Sequence, residues 1–193
     1  MSKVAITGNA SGTGVFTVAT PNSNVDRVLT LPDESGTVDT LQRSGNVVQV
    51  VNFQTGAVAT GTTVLPADNT IPQITEGNEY MTLAITPTNS SNILIVEVAV
   101  LWATSVSAYV STALFQDATA GALAATGNYA ATANAFYTTY LTHKMTAGTT
   151  SATTFKVRLG PAATSTVTFS GRGGLRYYGG VASSSITITE YTP

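Results

Sequence analysis

Cysteine is absent from the 193-residue chain, so neither a disulfide framework nor a thiolate zinc site can be built. Charge is scarce as well. Asp, Glu, Lys and Arg together make up 9 % of the chain, against roughly 25 % in an average soluble domain. The eight basic residues are scattered, the net charge is −2 and the pI is near 5.2. No cluster is present that would grip a nucleic-acid backbone or an anionic membrane surface, so neither partner is expected. The longest apolar run, residues 93–103, contains Glu97 and is too short to cross a bilayer, so no membrane insertion is expected. The opening MSKVAITGNASGTG has no apolar centre of the kind a secretory signal needs.

What fills the space left by charge is Thr, Ser, Asn and Gly around a normal apolar content of 43 %. Disorder is not expected, because disordered chains combine low hydrophobicity with high charge. Many β-branched residues and few charges suit strands rather than helices. The pattern divides the chain into a sparse segment, residues 1–44, and a denser β domain, residues 45–193. In the first, two short strands around residues 15–19 and 28–31 hold little that can be buried, and such a pair is marginal alone. In the second, strands are expected at 46–54, 57–65, 80–86, 93–104, 108–116, 135–146, 153–159, 166–169 and 184–191. Ser184-Ser185-Ile186-Thr187-Ile188-Thr189 alternates strictly, which predicts one buried and one wet face. Residues 93–101 are nearly all apolar, which predicts a central strand covered on both sides. Residues 118–125 are alanine-rich and read equally as a loop or a short helix. Eight or nine short strands separated by turn signals point to an all-β sandwich or jelly roll.

Catalytic patterns are weak. His143 is the single histidine and shares a strand face with Tyr137, Thr139, Leu141 and Met145. It reads as a packed or interface residue rather than a general base or ligand, since a zinc site would need carboxylates for its remaining positions. Asp33-Glu34, Glu76 with Glu79, and Asp26 with Asp39 are the only near-neighbour carboxylates, and nothing in their spacing marks a glycosidase pair. No Gly-x-Ser-x-Gly elbow is present. The chain is therefore read as a non-enzyme with no cofactor and no metal. The stretch Gly171-Arg172-Gly173-Gly174-Leu175-Arg176-Tyr177-Tyr178-Gly179-Gly180 holds two of five arginines and two adjacent tyrosines. It reads as a strand connection whose glycines supply unusual backbone angles, as a subunit contact, or as a ligand-facing loop.

Gly12-Thr13-Gly14-Val15-Phe16, then Pro21-Asn22-Ser23-Asn24, then Arg27-Val28-Leu29-Thr30-Leu31-Pro32-Asp33-Glu34-Ser35-Gly36-Thr37 resembles a segment common in structural proteins of tailed bacteriophages. The final stretch, Gly179 to Tyr191, resembles the last strand of phage fibre-tip and decoration domains. The two matches cover about a fifth of the chain. The resemblance implies a jelly roll of the tumour-necrosis-factor or C1q type, preceded by an extended N-terminal β arm and assembled as a homotrimer on the virion surface. It implies a capsid decoration (cement) protein whose arm (Val15, Phe16, Val18, Arg27, Leu29, Leu31) attaches to the major capsid protein, and whose knob faces outward. The alternative is a tail or head fibre, a receptor-binding tip held by tail or vertex proteins and recognising host surface glycans. By composition and analogy the trimer contact is expected at Phe136, Tyr137, Tyr140 and Leu141, with Tyr177 and Tyr178 nearby. Trp102, Arg172, Tyr177 and Tyr178 are the candidate glycan contacts. Synthesis in the host cytoplasm without a signal peptide is expected.

Overall fold

The computed structural model describes residues 44–193, together with Ser11 and Asn24. The rest of the arm, including Val15, Phe16, Val18, Arg27, Leu29 and Leu31, lies outside the described residues, as do Asp26, Asp33, Glu34 and Asp39.

Ten strands follow in order: β1 Val47–Thr55, β2 Ala59–Gly61, β3 Asn78–Ile85, β4 Ile93–Thr104, β5 Ala108–Gln116, β6 Ala124–Ala130, β7 Tyr137–Thr146, β8 Thr153–Pro161, β9 Val167–Phe169 and β10 Ser184–Tyr191. One sheet runs β1-β10-β4-β7 and the other β3-β8-β5-β6, every pairing antiparallel. Short β9 continues beside β4 beyond the end of β10, with β2 on its far side. Counting only the eight long strands, the sheets read first-eighth-third-sixth and second-seventh-fourth-fifth. That order is the jelly roll, two Greek keys closed over one core. The expected all-β class is therefore observed.

β4, β5 and β10 fall where alternation and β-branching placed them. Three expectations are corrected. The strand expected at 57–65 shrinks to Ala59–Gly61, because the chain then leaves the sheet and crosses the outside of β5 and β8. There Leu65 is buried against Ala113 and Phe115, apart from the main core. The alanine-rich stretch read as loop or helix ends in β6, whose Ala124–Ala130 pairs with β5. Finally, among the described residues β4 is fully buried on its inner face only. Leu94, Val96, Val98, Val100 and Trp102 are buried, while Ile93, Ile95, Ala99 and Leu101 are half-buried and Glu97 is exposed.

Between the sheets, Trp102, Phe155, Phe169, Leu114 and Ile188 are among the fully buried side chains of one continuous core. Burying each large apolar side chain contributes on the order of 1.5–3 kcal/mol. The segment crossing the second sheet is seated by a glycine. A Cβ on Gly160 would stand 2.5 Å from the Thr63 carbonyl oxygen and 2.9 Å from Gly77 Cα, so only a residue without a side chain lets the backbones pass. At the domain's corner, Gly45 N–H donates to Thr192 O and Thr192 N–H to Asn46 O, both at 3.0 Å.

Among the described residues one carboxyl group is wholly inside. Glu190 on β10 is fully buried and has no cation partner among the described residues. Its Oε1 accepts from Thr88 N–H (2.8 Å), Thr88 Oγ1 (2.9 Å) and Asn92 Nδ2 (2.6 Å), and its Oε2 accepts from Gln49 Nε2 (2.5 Å). Burial pushes this carboxyl up, but the donors from Gln49, Asn92 and Thr88 outweigh it and hold it below its ordinary value.

Candidate interaction site

No group of three or more His, Asp or Glu side chains gathers among the described residues in a way that could hold a metal ion. His143 lies opposite Val96 on β7 and is half-buried, on the core-facing side of the strand with Leu141 and Met145. Glu76 and Glu79 do separate work: Glu76 Oε2 accepts from Gln73 N–H at 2.8 Å, and Glu79 Oε2 lies 3.2 Å from Arg158 Nη1. The surface features that remain are aromatic.

The first is the connection between β9 and β10. Gly173, Gly174, Gly179 and Gly180 take positive φ there, and so does Tyr178 at +50°, a conformation that costs a bulky residue energy and marks the loop as tightly determined. Arg172 Nε and Nη2 donate to the Tyr177 hydroxyl at 3.2 and 2.9 Å. The same guanidinium lies 4.9 Å from the Tyr177 ring centroid and 5.7 Å from that of Phe136. Phe136 meets Tyr177 edge-on at 5.1 Å and Tyr178 at 6.2 Å. Arg176 Nη2 donates to Gly179 O at 2.9 Å and shares the rim of an open cavity of about 390 Å³ with Gly56 and Gly180. Arg172, Phe136, Tyr177 and Tyr178 are thus one self-braced cluster. Tyr178 is 71 % exposed.

The residues expected at a trimer contact separate. Phe136, Tyr177 and Tyr178 come together at this end of the sandwich. Tyr140 stands on the outer face of β7, 74 % exposed, opposite Ala99. Leu141 and Tyr137 do not join it. Alternation along β7 turns both toward the core, where Leu141 is buried and Tyr137 stacks on Trp102 at 4.9 Å. Trp102 is also corrected as a glycan contact. It is fully buried, and its indole N–H donates to Thr139 Oγ1 at 2.8 Å, so it offers no face to a ligand.

Around Tyr140 the outer face of the first sheet can be read row by row from the pairing. Val50, Thr189, Ile95 and Lys144 form one row, Asn52, Thr187, Glu97 and Thr142 the next, and Gln54, Ser185, Ala99 and Tyr140 the third. A shallow depression of about 260 Å³ lies among Glu97, Ala99, Tyr140, Thr142, Ser185 and Thr187. Val50 and Tyr140 in these rows are 55 % and 74 % exposed.

No protein-family model and no curated protein matches the chain. Solved structures similar to it include the tumour-necrosis-factor protein Eiger from S. frugiperda, at 8 % identity and a TM-score of 0.40, with 73 % of this chain and 92 % of that one covered. The infectious bursal disease virus Gx strain is similar at 11 % identity and a TM-score of 0.38, over 86 % of this chain and 42 % of that one. The enzymatically active domain of tailspike protein 4 from bacteriophage CBA120 is similar at 15 % and 0.27, over 66 % of this chain and 20 % of that one. The chain therefore spans less than half the length of both viral proteins. The jelly-roll assignment rests on the strand order above.

Proposed function

We propose that the chain is a non-catalytic structural protein of a tailed-phage virion: a homotrimeric capsid decoration protein whose N-terminal arm attaches to the shell and whose jelly-roll knob faces outward. The arm's resemblance to tailed-phage structural proteins supports the setting. The observation that carries the assembly is the outer face of the first sheet. A strand in a two-layer sandwich ordinarily turns polar residues outward, yet β4 turns Ile93, Ile95, Ala99 and Leu101 outward, beside Tyr140 of β7 and Val50 of β1. Sister copies are the occupants proposed for this face, because a closed symmetric oligomer covers such a patch without leaving an open end. Few charges would need to be desolvated there, since Glu97 and Lys144 are the only ones in the three rows.

The test is light scattering coupled to gel filtration on the full chain, wild type and Ile95→Lys. A trimeric wild type and a folded monomeric variant support the reading, whereas a variant that stays trimeric removes this face from the assembly. Copy number relative to the major capsid protein, by quantitative mass spectrometry of purified particles, separates the two virion locations. A count of the same order means decoration. A few tens per particle means a fibre, the reading favoured by the exposed Tyr178 on its Arg172–Tyr177 brace as a contact for host surface glycans. Absence from particles overturns the virion role.

A further inference from the structure

The second aromatic feature lies on the other sheet, away from the face assigned to assembly. Tyr109 of β5 and Tyr129 of β6 are direct cross-strand partners. Their ring centroids are 4.9 Å apart at an interplanar angle of 51°, and 55 % and 54 % of their surfaces are exposed. The Tyr129 hydroxyl lies 2.9 Å from Ser107 Oγ, so the pair is held from one side. The pair supports the ladder as a cross-strand contact, and its outer ring faces remain open to water.

One step along the same face, the cross-strand pair is Ser111 and Gly127. A groove of about 270 Å³ begins there, walled by the crossing segment at Pro66 and Asp68 and by Thr126 on β6. Successive residues on one strand face are about 7 Å apart, so groove and tyrosine pair adjoin. Ser111 is only 5 % exposed, lines the groove, and its hydroxyl has no hydrogen-bond partner among the described residues. Gly127 is what leaves that hydroxyl approachable, because a Cβ there would stand 3.7 Å from Ser111 Oγ. Unlike the sealed, unpaired hydroxyls of Tyr80 and Thr112, that of Ser111 is reached by water at the floor of the groove and is available to a ligand. At the wall, Asp68 Oδ1 accepts from Thr70 N–H and Oγ1 at 2.8 and 2.6 Å, which fixes the carboxylate and leaves Oδ2 without a protein donor. These bonds also hold the carboxyl below its usual value, so it remains an acceptor at neutral pH.

We propose that this groove is a carbohydrate-binding site for a neutral oligosaccharide, with the Tyr109–Tyr129 pair as the stacking platform and Asp68 and Ser111 as partners for sugar hydroxyls. The chemistry matches on both sides of the ligand. A pyranose presents an apolar C–H face that packs on aromatic rings and a rim of hydroxyls that both donate and accept. A fixed carboxylate takes the donated hydrogens, and a Ser hydroxyl serves either role. The neutral class follows from the lining, which includes the Asp68 carboxylate and no cation; a sugar carboxylate or phosphate would face like charge. The site stands independently of where the knob sits on a particle.

Saturation-transfer NMR on the full chain tests it. The probes are maltotriose, cellotriose and the trimer of N-acetylglucosamine at millimolar concentration, with sialyllactose as the acidic comparison. The expected result is transfer from tyrosine ring protons to at least one neutral trisaccharide. Its affinity should fall at least about tenfold in Tyr109→Ala and in Gly127→Val, with unchanged circular dichroism. Gly127→Val fills the groove floor with a residue that favours strand geometry, so it tests occupancy without weakening β6. Binding that survives Gly127→Val, binding of sialyllactose alone, or no transfer to any neutral probe overturns the proposal.

Discussion

Replacing Glu190 by Gln changes one atom of a fully buried side chain, and the cost can be worked out from its surroundings. Both carboxylate oxygens face donors: Thr88 N–H, Thr88 Oγ1 and Asn92 Nδ2 on one side, Gln49 Nε2 on the other. A glutamine amide carries one acceptor and one NH2, so either orientation points a donor at a donor. Turning its oxygen toward Thr88 and Asn92 preserves three bonds and leaves Gln49 opposed. The loss is one hydrogen bond to a charged acceptor plus the charge assistance of the others, about 2–3 kcal/mol in all. In a domain of this size that lowers Tm by about 4–12 °C. The companion change Gln49→Glu should not recover the loss, because the Gln49 amide also donates to Thr86 O at 2.9 Å and a carboxylate there would face that carbonyl with no hydrogen to give. The pH dependence supplies a second readout. The folded pKa is depressed, so the stabilisation is fully present above the unfolded value of about 4.3. It is lost as pH falls below that toward the folded value. Urea unfolding at fixed protein concentration from pH 7 to pH 3 should show wild type losing stability below about pH 4, and Glu190→Gln losing less over the same interval. Equal stabilities at pH 7, or identical slopes below pH 4, would refute the account of Glu190 as an ionised, hydrogen-bonded lock.

Tyr80 stacks on Phe169 at 4.8 Å, but its buried hydroxyl has no partner, and burial pushes its pKa to about 12; Tyr80→Phe should keep the stack and raise stability by about 1 kcal/mol in chemical denaturation. Gly160→Ala should cost about 2 kcal/mol or more and increase hydrogen exchange at Leu65 and Gly77, whose amides bond to Pro161 O and Val64 O, because the crossing segment can no longer lie on β8.

The jelly roll was legible wherever local pattern and tertiary role agree. β10 is the clearest case: Ile186 and Ile188 alternate with Ser185 and Thr187, and the first two fill the core while the others do not. β6 was not legible. Ala124-Ala125-Thr126-Gly127-Asn128-Tyr129-Ala130 contains poor strand formers, and its extended form comes from pairing with β5 rather than from its own preference. The trimer expectation mixed faces for a related reason. Aromatic content groups Tyr137 with Tyr140, yet three residues apart on a strand they point in opposite directions. The groove beside Tyr109 and Tyr129 had no local signal, since its wall arrives from residues 66–72, about forty positions away in sequence.

The corner where Gly45 and Thr192 exchange hydrogen bonds with their neighbours has a mechanical consequence. β1 starts and β10 ends there, and the two strands lie side by side and antiparallel. A pull applied between residues 45 and 192 acts across this ladder at one end, so its bonds are loaded one after another rather than all at once. The β1–β10 seam would open like a zip under modest force from that corner. A load entering along the strand direction would have to shear the whole ladder together. A tether fused to either side of this corner therefore meets the knob at its mechanically softest seam.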